Sequence, residues 1–333
     1  MKKEIRINFR YFWQGFNPED NFFTNLLKKE YKVIISDNPD YVFYSVYPEK
    51  GPSNISGIGD SIKKISPKLY LIARKTFSKV YGFIYRNKKI EGDFVKIFYG
   101  SEHVKPKMNE CDWAFGSHFE EEINDSRYMR TPMYIVSDYK MGLMAIHPPI
   151  KKYMDIEKIK EKKKRFCNFI YSQEVPARND FFKKLNEYKK VDSPGRCMNN
   201  MPPIGADNPL KSRLADNWIQ QKLDFIENYK FTIAFENFEA DGWITEKLTQ
   251  PMLVNSIPIY IGDKNVNRDF NTKSFINYHD FKNMDDFIQH IIKVDSDDKL
   301  YEEYLRQPWF IDNKINKYYS EKRMMDRFKE IFG

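Results

Sequence analysis

Residues 229–263 read YKFTIAFENFEADGWITEKLTQPMLVNSIPIYIGD, and no other stretch of the chain constrains the fold as much. Residues 231–235 and 257–261 are nearly continuous apolar runs, the pattern of strands covered on both faces. Residues 245–254, between them, are long enough for a helix. A strand, a helix and a second strand at this spacing belong to an α/β layer architecture with a mostly parallel sheet.

The alternation extends in both directions. Toward the N-terminus, residues 5–13, 32–35, 41–47, 94–99 and 112–115 read as strands, with a short helix over 19–29. Residues 166–171 open a second half as a strand, followed by a helix over 177–190, a loop over 192–203 and a helix over 222–229. Phe287, Ile288, Ile291 and Ile292 share one helical face, and residues 317–332 form a terminal amphipathic helix. Residues 151–165 carry eight basic and three acidic residues after the stiff His147-Pro148-Pro149 turn, and read as a connection. The expected division is therefore a first α/β domain over 1–150, a linker over 151–165, a second α/β domain over 166–315 and a C-terminal helix over 316–333. Two Rossmann-like α/β domains facing across a cleft bind ligands at the carboxyl ends of their strands.

Charge is unevenly placed. The net charge is +8, yet residues 61–90 hold nine Lys/Arg and no acid; without them the balance is 46 − 47 = −1. A near-neutral body with one basic patch argues against nucleic acid as a partner and for local contact with an anionic membrane surface. No apolar run approaches the roughly 18 residues of a membrane span, and the first residues lack a secretory signal. Cys111, Cys167 and Cys197 are too far apart for a disulfide framework or a CxxC metal site. The expected setting is cytoplasmic and reducing, with the protein peripheral at an inner membrane face through residues 61–90.

Chemistry concentrates in the opening motif. Glu236 and Asn237 stand at a strand's carboxyl end, and the loop after them, Phe238 to Trp243, holds a glycine and an aromatic that reads as exposed. Thr245 can cap the next helix, which places Glu246 and Lys247 in its first turn. Free N–H groups and the helix dipole there suit a diphosphate; Lys247 adds a full charge, and Glu246 can accept hydrogen bonds from sugar hydroxyls. Read from pattern alone, the same residues also describe a capping box with Glu and Lys on a solvated face.

The order Phe-Glu-Asn, Thr-Glu-Lys, Pro-Ile-Tyr-Ile-Gly resembles the donor-binding motif of the α1,3/4-fucosyltransferases, glycosyltransferase family 10. Residues 178–182, 188–195, 269–271, 280–281, 97–102 and 127–134 look like family sequence too. The resemblance is good from Phe94 to Leu305 and weak before Phe94. It implies a GT-B fold with the acceptor domain first and the GDP-fucose domain second. The implied reaction moves L-fucose from GDP-β-L-fucose to a GlcNAc hydroxyl of an N-acetyllactosamine-type or lipid-linked glycan, inverting the anomeric centre, with α1,3 favoured over α1,4. Glu102 matches the family's general base. Arg178 and Lys247 match its diphosphate-binding cations, and Asn237 and Glu246 its polar contacts to the donor, Glu246 being counted with the catalytic residues. Trp243 stands where many bacterial members have Tyr, and keeps a stacking surface without the phenolic hydroxyl. His103, in place of a frequent Asn, and Arg130 are acceptor-side candidates.

Inverting transfer is a single displacement, so one carboxylate base suffices. Arg178, Lys247 and helix amides can neutralise the leaving diphosphate, and the expectation is that no metal or cofactor is required. Asp295-Ser296-Asp297 matches the metal-binding DxD of the other main glycosyltransferase architecture, but helical periodicity on both sides makes it a solvated linker. The rival readings are another nucleotide-sugar transferase on the same fold, or a non-catalytic glycan- or nucleic-acid-binding module.

Overall fold

The computed structural model describes residues 2–13, 15–47, 90–139, 155–206 and 218–333. In chain order the elements are β1 (Glu4–Arg10), α1 (Phe22–Glu30), β2 (Lys32–Ile35), β3 (Tyr41–Tyr44), β4 (Val95–Gly100), β5 (Trp113–Gly116), α2 (Glu120–Ile123), β6 (Tyr128–Arg130) and α3 (Met133–Tyr139). There follow α4 (Ile156–Lys162), β7 (Arg165–Asn168), α5 (Pro176–Tyr188), β8 (Val191–Asp192), α6 (Trp218–Glu227), β9 (Tyr229–Phe235), α7 (Glu246–Leu253) and β10 (Ile257–Ile261). The chain ends with β11 (Ile276–Asn277), α8 (Met284–Ser296), α9 (Asp298–Arg306) and α10 (Glu321–Phe332).

The chain forms two compact units, each built on one open parallel sheet. The first comprises residues 1–116, 120–130 and 325–333, with strand order β2-β1-β3-β4-β5-β6. The second comprises residues 117–119 and 131–324, with order β11-β10-β9-β7-β8. Every strand pair in both is parallel. The expected α/β class with two Rossmann-like sheets is the one observed.

Local chemistry explains the elements. Asn21 caps α1 by accepting from the Phe23 and Thr24 amides, and Asn283 caps α8 on Asp285 and Asp286. Losing such a cap costs about 1 kcal/mol. The central strand β9 is buried along nearly its whole length, and Phe231 and Ile233 pack with Phe181, Ile259, Phe287 and Ile291 in the core of the second unit. Burying each such side chain contributes about 1.5–3 kcal/mol relative to exposure.

The units divide the chain elsewhere than the sequence pattern does. Helix α3 belongs to the second unit, where Tyr134 donates to Asp269 Oδ2 at 3.1 Å and receives a bond from Asn316 at 3.0 Å. The stretch read as a linker contains α4, whose Ile156 is buried in the second unit's core and whose Lys160 pairs with Glu302 at 2.8 Å. Two isoleucines, Ile156 buried and Ile159 packed beside it, and an ion pair dock a helix whose other side chains are all charged. The terminal helix is not an appendage either: Phe328 and Phe332 pack on Phe115, Tyr31 and Tyr41 of the first unit. Residues 61–89 of the basic segment lie outside the described residues. No described helix is long and apolar enough to cross a membrane.

Candidate active site

The carboxyl end of β9 carries the donor motif. Glu236 follows the strand directly, its amide donating to Ile261 O on β10 at 2.8 Å. Its buried carboxylate does not face outward. It accepts the Thr245 amide at 2.8 Å and the Thr245 hydroxyl at 2.9 Å, and Lys247 Nζ approaches at 3.4 Å. Thr245 in turn caps α7 by accepting the Lys247 amide. Glu236 therefore clamps the first turn of α7 to the end of β9. Burial pushes its pKa above the usual carboxylate range, with the Lys247 charge pulling the other way.

Two glycines allow this packing. Gly242 takes a left-handed backbone (φ 76°) that directs its amide onto Asp263 Oδ2 at 2.8 Å, closing the loop over 237–243. A Cβ on Gly262 would lie 2.3 Å from the Tyr260 hydroxyl and 2.8 Å from Glu236 Cγ.

Lys247 and Glu246 lie side by side at the helix start, 3.9 Å apart. Burial works against the Lys247 charge, but Glu236, Glu246 and Tyr171 outweigh it and hold the ammonium well above its usual pKa. For Glu246 burial acts upward and is overcome by the Lys247 and Lys222 charges, which leave the carboxylate below its usual pKa. The pair is thus ionised, and Glu246 can only accept hydrogen bonds.

Arg178, in the first turn of α5, is 2% exposed. Its Nη2 donates to Gln173 O at 2.9 Å, and the guanidinium lies over the Tyr171 ring. Its Nε and Nη1 meet no hydrogen-bond acceptor among the described residues. A buried guanidinium with two donors unspent is an anion site in waiting, since leaving such donors dry costs about 1–3 kcal/mol or more. Tyr171 joins this group to β9: its hydroxyl accepts the Phe235 amide at 2.7 Å, and burial pushes its pKa up to about 12.

Asn237 is exposed just beyond β9. The exposed aromatic of this loop is Phe238, at 44%; Trp243 is 4% exposed and stacked on it at 9°. A tryptophan two places before the Thr245 cap is drawn inward with the helix, and Phe238 covers it.

In the first unit Glu102 stands exposed on the turn that follows β4, held by the Tyr47 hydroxyl, which donates to its Oε1. His103 takes a left-handed conformation (φ 49°) in the same turn. Arg130 does not present its guanidinium to solvent; it is fully buried at the end of β6, with its amide donating to Glu120 Oε1. This placement does not fit direct contact with an acceptor. Tyr171 and Tyr47 are residues that sequence reading did not single out, and Glu236, read there as a polar group at the strand end, turns inward as a clamp instead. That inward turn has a signal, a carboxylate directly after a mostly apolar strand with a capping threonine downstream.

The DxD splits between two tasks. The Asp295 side chain is 3% exposed and pairs with Lys189 at 2.9 Å and Lys230 at 2.8 Å, whereas Asp297 caps α9. Asp295 is thus a buried ion-pair centre rather than part of a solvated linker. Among the described residues no three His, Cys, Asp or Glu side chains gather as a metal-holding group. The three cysteines are free and buried.

Each unit is built on a parallel sheet; cations and a clamped helix N-terminus stand at strand ends in the second, and a carboxylate at a strand end in the first. The model of the glycosyltransferase family 10 (fucosyltransferase) C-terminal region matches residues 159–330, and that of the α-(1,3)-fucosyltransferase N-terminal domain matches residues 7–56 and 61–137. The chain belongs to glycosyltransferase family 10. The match reaches well before Phe94 and runs through the basic segment. An α-(1,3)-fucosyltransferase of Helicobacter pylori is 30% identical over 262 residues, 71% of this chain and 52% of the relative. The human GDP-fucose protein O-fucosyltransferase 3 is 28% identical, over 70% of this chain and 52% of its own length. The chain spans about half the length of these two relatives. A crystal structure of an α1,3-fucosyltransferase with GDP-fucose shares the fold, with a TM-score of 0.67 at 22% identity, covering 99% of this chain and 91% of that one.

Proposed function

We propose that the chain is an inverting fucosyltransferase that uses GDP-β-L-fucose and delivers L-fucose to a GlcNAc hydroxyl of an N-acetyllactosamine-type glycan, in α1,3 linkage. The observation that carries the reading is Arg178, buried with two donor nitrogens unspent in the unit that holds the Lys247 helix N-terminus. Family membership supports the same donor.

The step is one displacement. The acceptor oxygen attacks the fucose anomeric carbon while Glu102 takes its proton; the bond from that carbon to the diphosphate breaks and its electrons leave with GDP. Arg178, Lys247 and the α7 amides offset the charge that develops on the diphosphate. Glu246 accepts hydrogen bonds from donor hydroxyls, and Asn237 and the Phe238 ring are further donor contacts. The reading requires no metal.

The test has two parts. GDP and GDP-fucose raise the melting temperature while UDP-galactose does not; at about 100 times the dissociation constant a ligand adds about 2.7 kcal/mol. Type 1 and type 2 disaccharides are then incubated with GDP-fucose, with and without EDTA, and the linkage is read by NMR. Equal melting shifts with UDP-galactose sink the donor assignment. Transfer to a peptide hydroxyl but to neither disaccharide sinks the acceptor assignment.

A further inference from the structure

Tyr47 lies just past the end of β3, and nothing in the displacement above requires it. Three features hold it in place. Its amide donates to Tyr11 O at 2.9 Å, where Tyr11 takes a left-handed backbone (φ 62°) that an aromatic residue adopts only under constraint. Its ring meets the edge of Trp13 at 6.0 Å and 75°. Its hydroxyl donates to Glu102 Oε1.

The strand end that carries Glu102 is laced to the one that carries Tyr47. Ser45 donates to Tyr99 O at 2.7 Å, and its hydroxyl pairs with that of Ser101 at 2.8 Å. Two neighbouring parallel strands thus deliver a tyrosine and a carboxylate to the same point through fixed backbone. A glutamate on an exposed turn otherwise samples several rotamers, and only some of them present an oxygen to an acceptor hydroxyl.

Burial first, and the Glu102 charge after it, push the Tyr47 pKa far up, so the phenol keeps its proton. It is therefore a donor that engages one carboxylate oxygen without competing for the acceptor's proton. The other oxygen is left to take it.

We propose that Tyr47 is the positioning residue of the general base: it fixes the Glu102 rotamer and selects which carboxylate oxygen meets the acceptor hydroxyl. The inference rests on the reading of Glu102 as the base. Tyr47 acts through Glu102, which makes it a positioning residue and not a catalytic one.

The experiment is a double-mutant cycle on the full chain with GDP-fucose and a disaccharide acceptor. Tyr47→Phe should lower kcat about 10- to 100-fold, the range for a misplaced catalytic group. KM for GDP-fucose and the GDP melting shift should stay within about twofold of the parent. In the Glu102→Gln background the same substitution should change the residual rate less than about twofold, because no base remains to be positioned. Incorporation of 3-fluorotyrosine at position 47 keeps the ring and the donor, so it should retain activity even if the phenylalanine variant folds poorly. An ordinary rate for Tyr47→Phe beside an inactive Glu102→Gln overturns the positioning role alone. So does an equal loss from Tyr47→Phe in both backgrounds, which marks a structural effect. An ordinary rate for Glu102→Gln overturns the base assignment and this proposal with it.

Discussion

The guanidinium carbon of Arg178 lies 3.8 Å from the centre of the Tyr171 ring, and the hydroxyl of that ring is bonded to the backbone of β9. One aromatic side chain therefore orients the cation and ties it to the strand that carries the donor motif. The two substitutions at this contact should separate. Arg178→Lys keeps a charge but loses the planar fork and the stacking, and should weaken GDP binding about tenfold in calorimetric titration. Tyr171→Phe keeps the ring and strands a buried amide. It should cost about 1–3 kcal/mol in urea unfolding while GDP affinity holds.

Glu102→Gln should leave GDP binding unchanged and lower turnover on the order of 10²–10⁴, the usual range for loss of a general base. Lys247→Ala should weaken donor binding and turnover together, since its charge meets the diphosphate before and during transfer. Steady-state kinetics with GDP titration reads both. Ordinary activity in Glu102→Gln would move the base to another acid.

Gly262→Ala should destabilise the fold by about 1–3 kcal/mol, the cost of an extra methyl in a packed site. The new Cβ presses on the Tyr260 hydroxyl and on Glu236, so the α7 clamp moves with it. GDP affinity should therefore fall as well. A stable variant with undiminished GDP affinity would show that the clamp tolerates displacement.

Much of this was legible in the sequence, for identifiable reasons. Strands β9 and β10 announce themselves as apolar runs, and Thr245 as a helix cap, because burial on both faces and capping each leave a local pattern. Strands β8 and β11 are only two residues long, too short for any periodicity to register. Strand β6 ends in Arg130, a residue that composition places outside and the fold buries completely. The role of Glu236 depends on partners nine and eleven residues away across a loop, and that of Tyr47 on one 55 residues away. Neither separation has a sequence period.

Asp295→Asn should cost about 1.5–3 kcal/mol at neutral pH, the value of hydrogen bonds to charged groups. Burial raises the pKa of Asp295, but bonds from Lys230 and Lys189 bring it below the ordinary carboxylate value overall. A carboxylate depressed in the folded state contributes stability above its unfolded pKa and loses it as pH falls through the folded one. The gap between parent and variant should therefore close below about pH 4. Urea unfolding from pH 3 to 7 checks the sign, and a gap that widens toward acid contradicts it.

The basic segment over 61–90 should bind anionic vesicles at low salt, at about 1 kcal/mol for each Lys or Arg near the surface. Sedimentation should show no binding to neutral vesicles, release as salt rises, and loss when Lys63, Lys64, Arg74 and Lys75 are neutralised together. Binding that survives those four changes places the contact elsewhere.

The return of the last residues to the first unit sets an order of events during synthesis. Lys3 Nζ bonds to Phe332 O at 2.6 Å, so the first unit is closed by residues beside β1 and residues of α10. A chain emerging from the ribosome therefore exposes the apolar face of Tyr41, Phe43 and Phe115 while the whole second unit is made. The second unit can complete its sheet as it emerges; the first becomes whole only once residues 325–333 have been made. Aggregation of nascent chains, and the demand for a chaperone that holds aromatic surface, should accordingly fall on the half of the protein that is synthesised first and finished last.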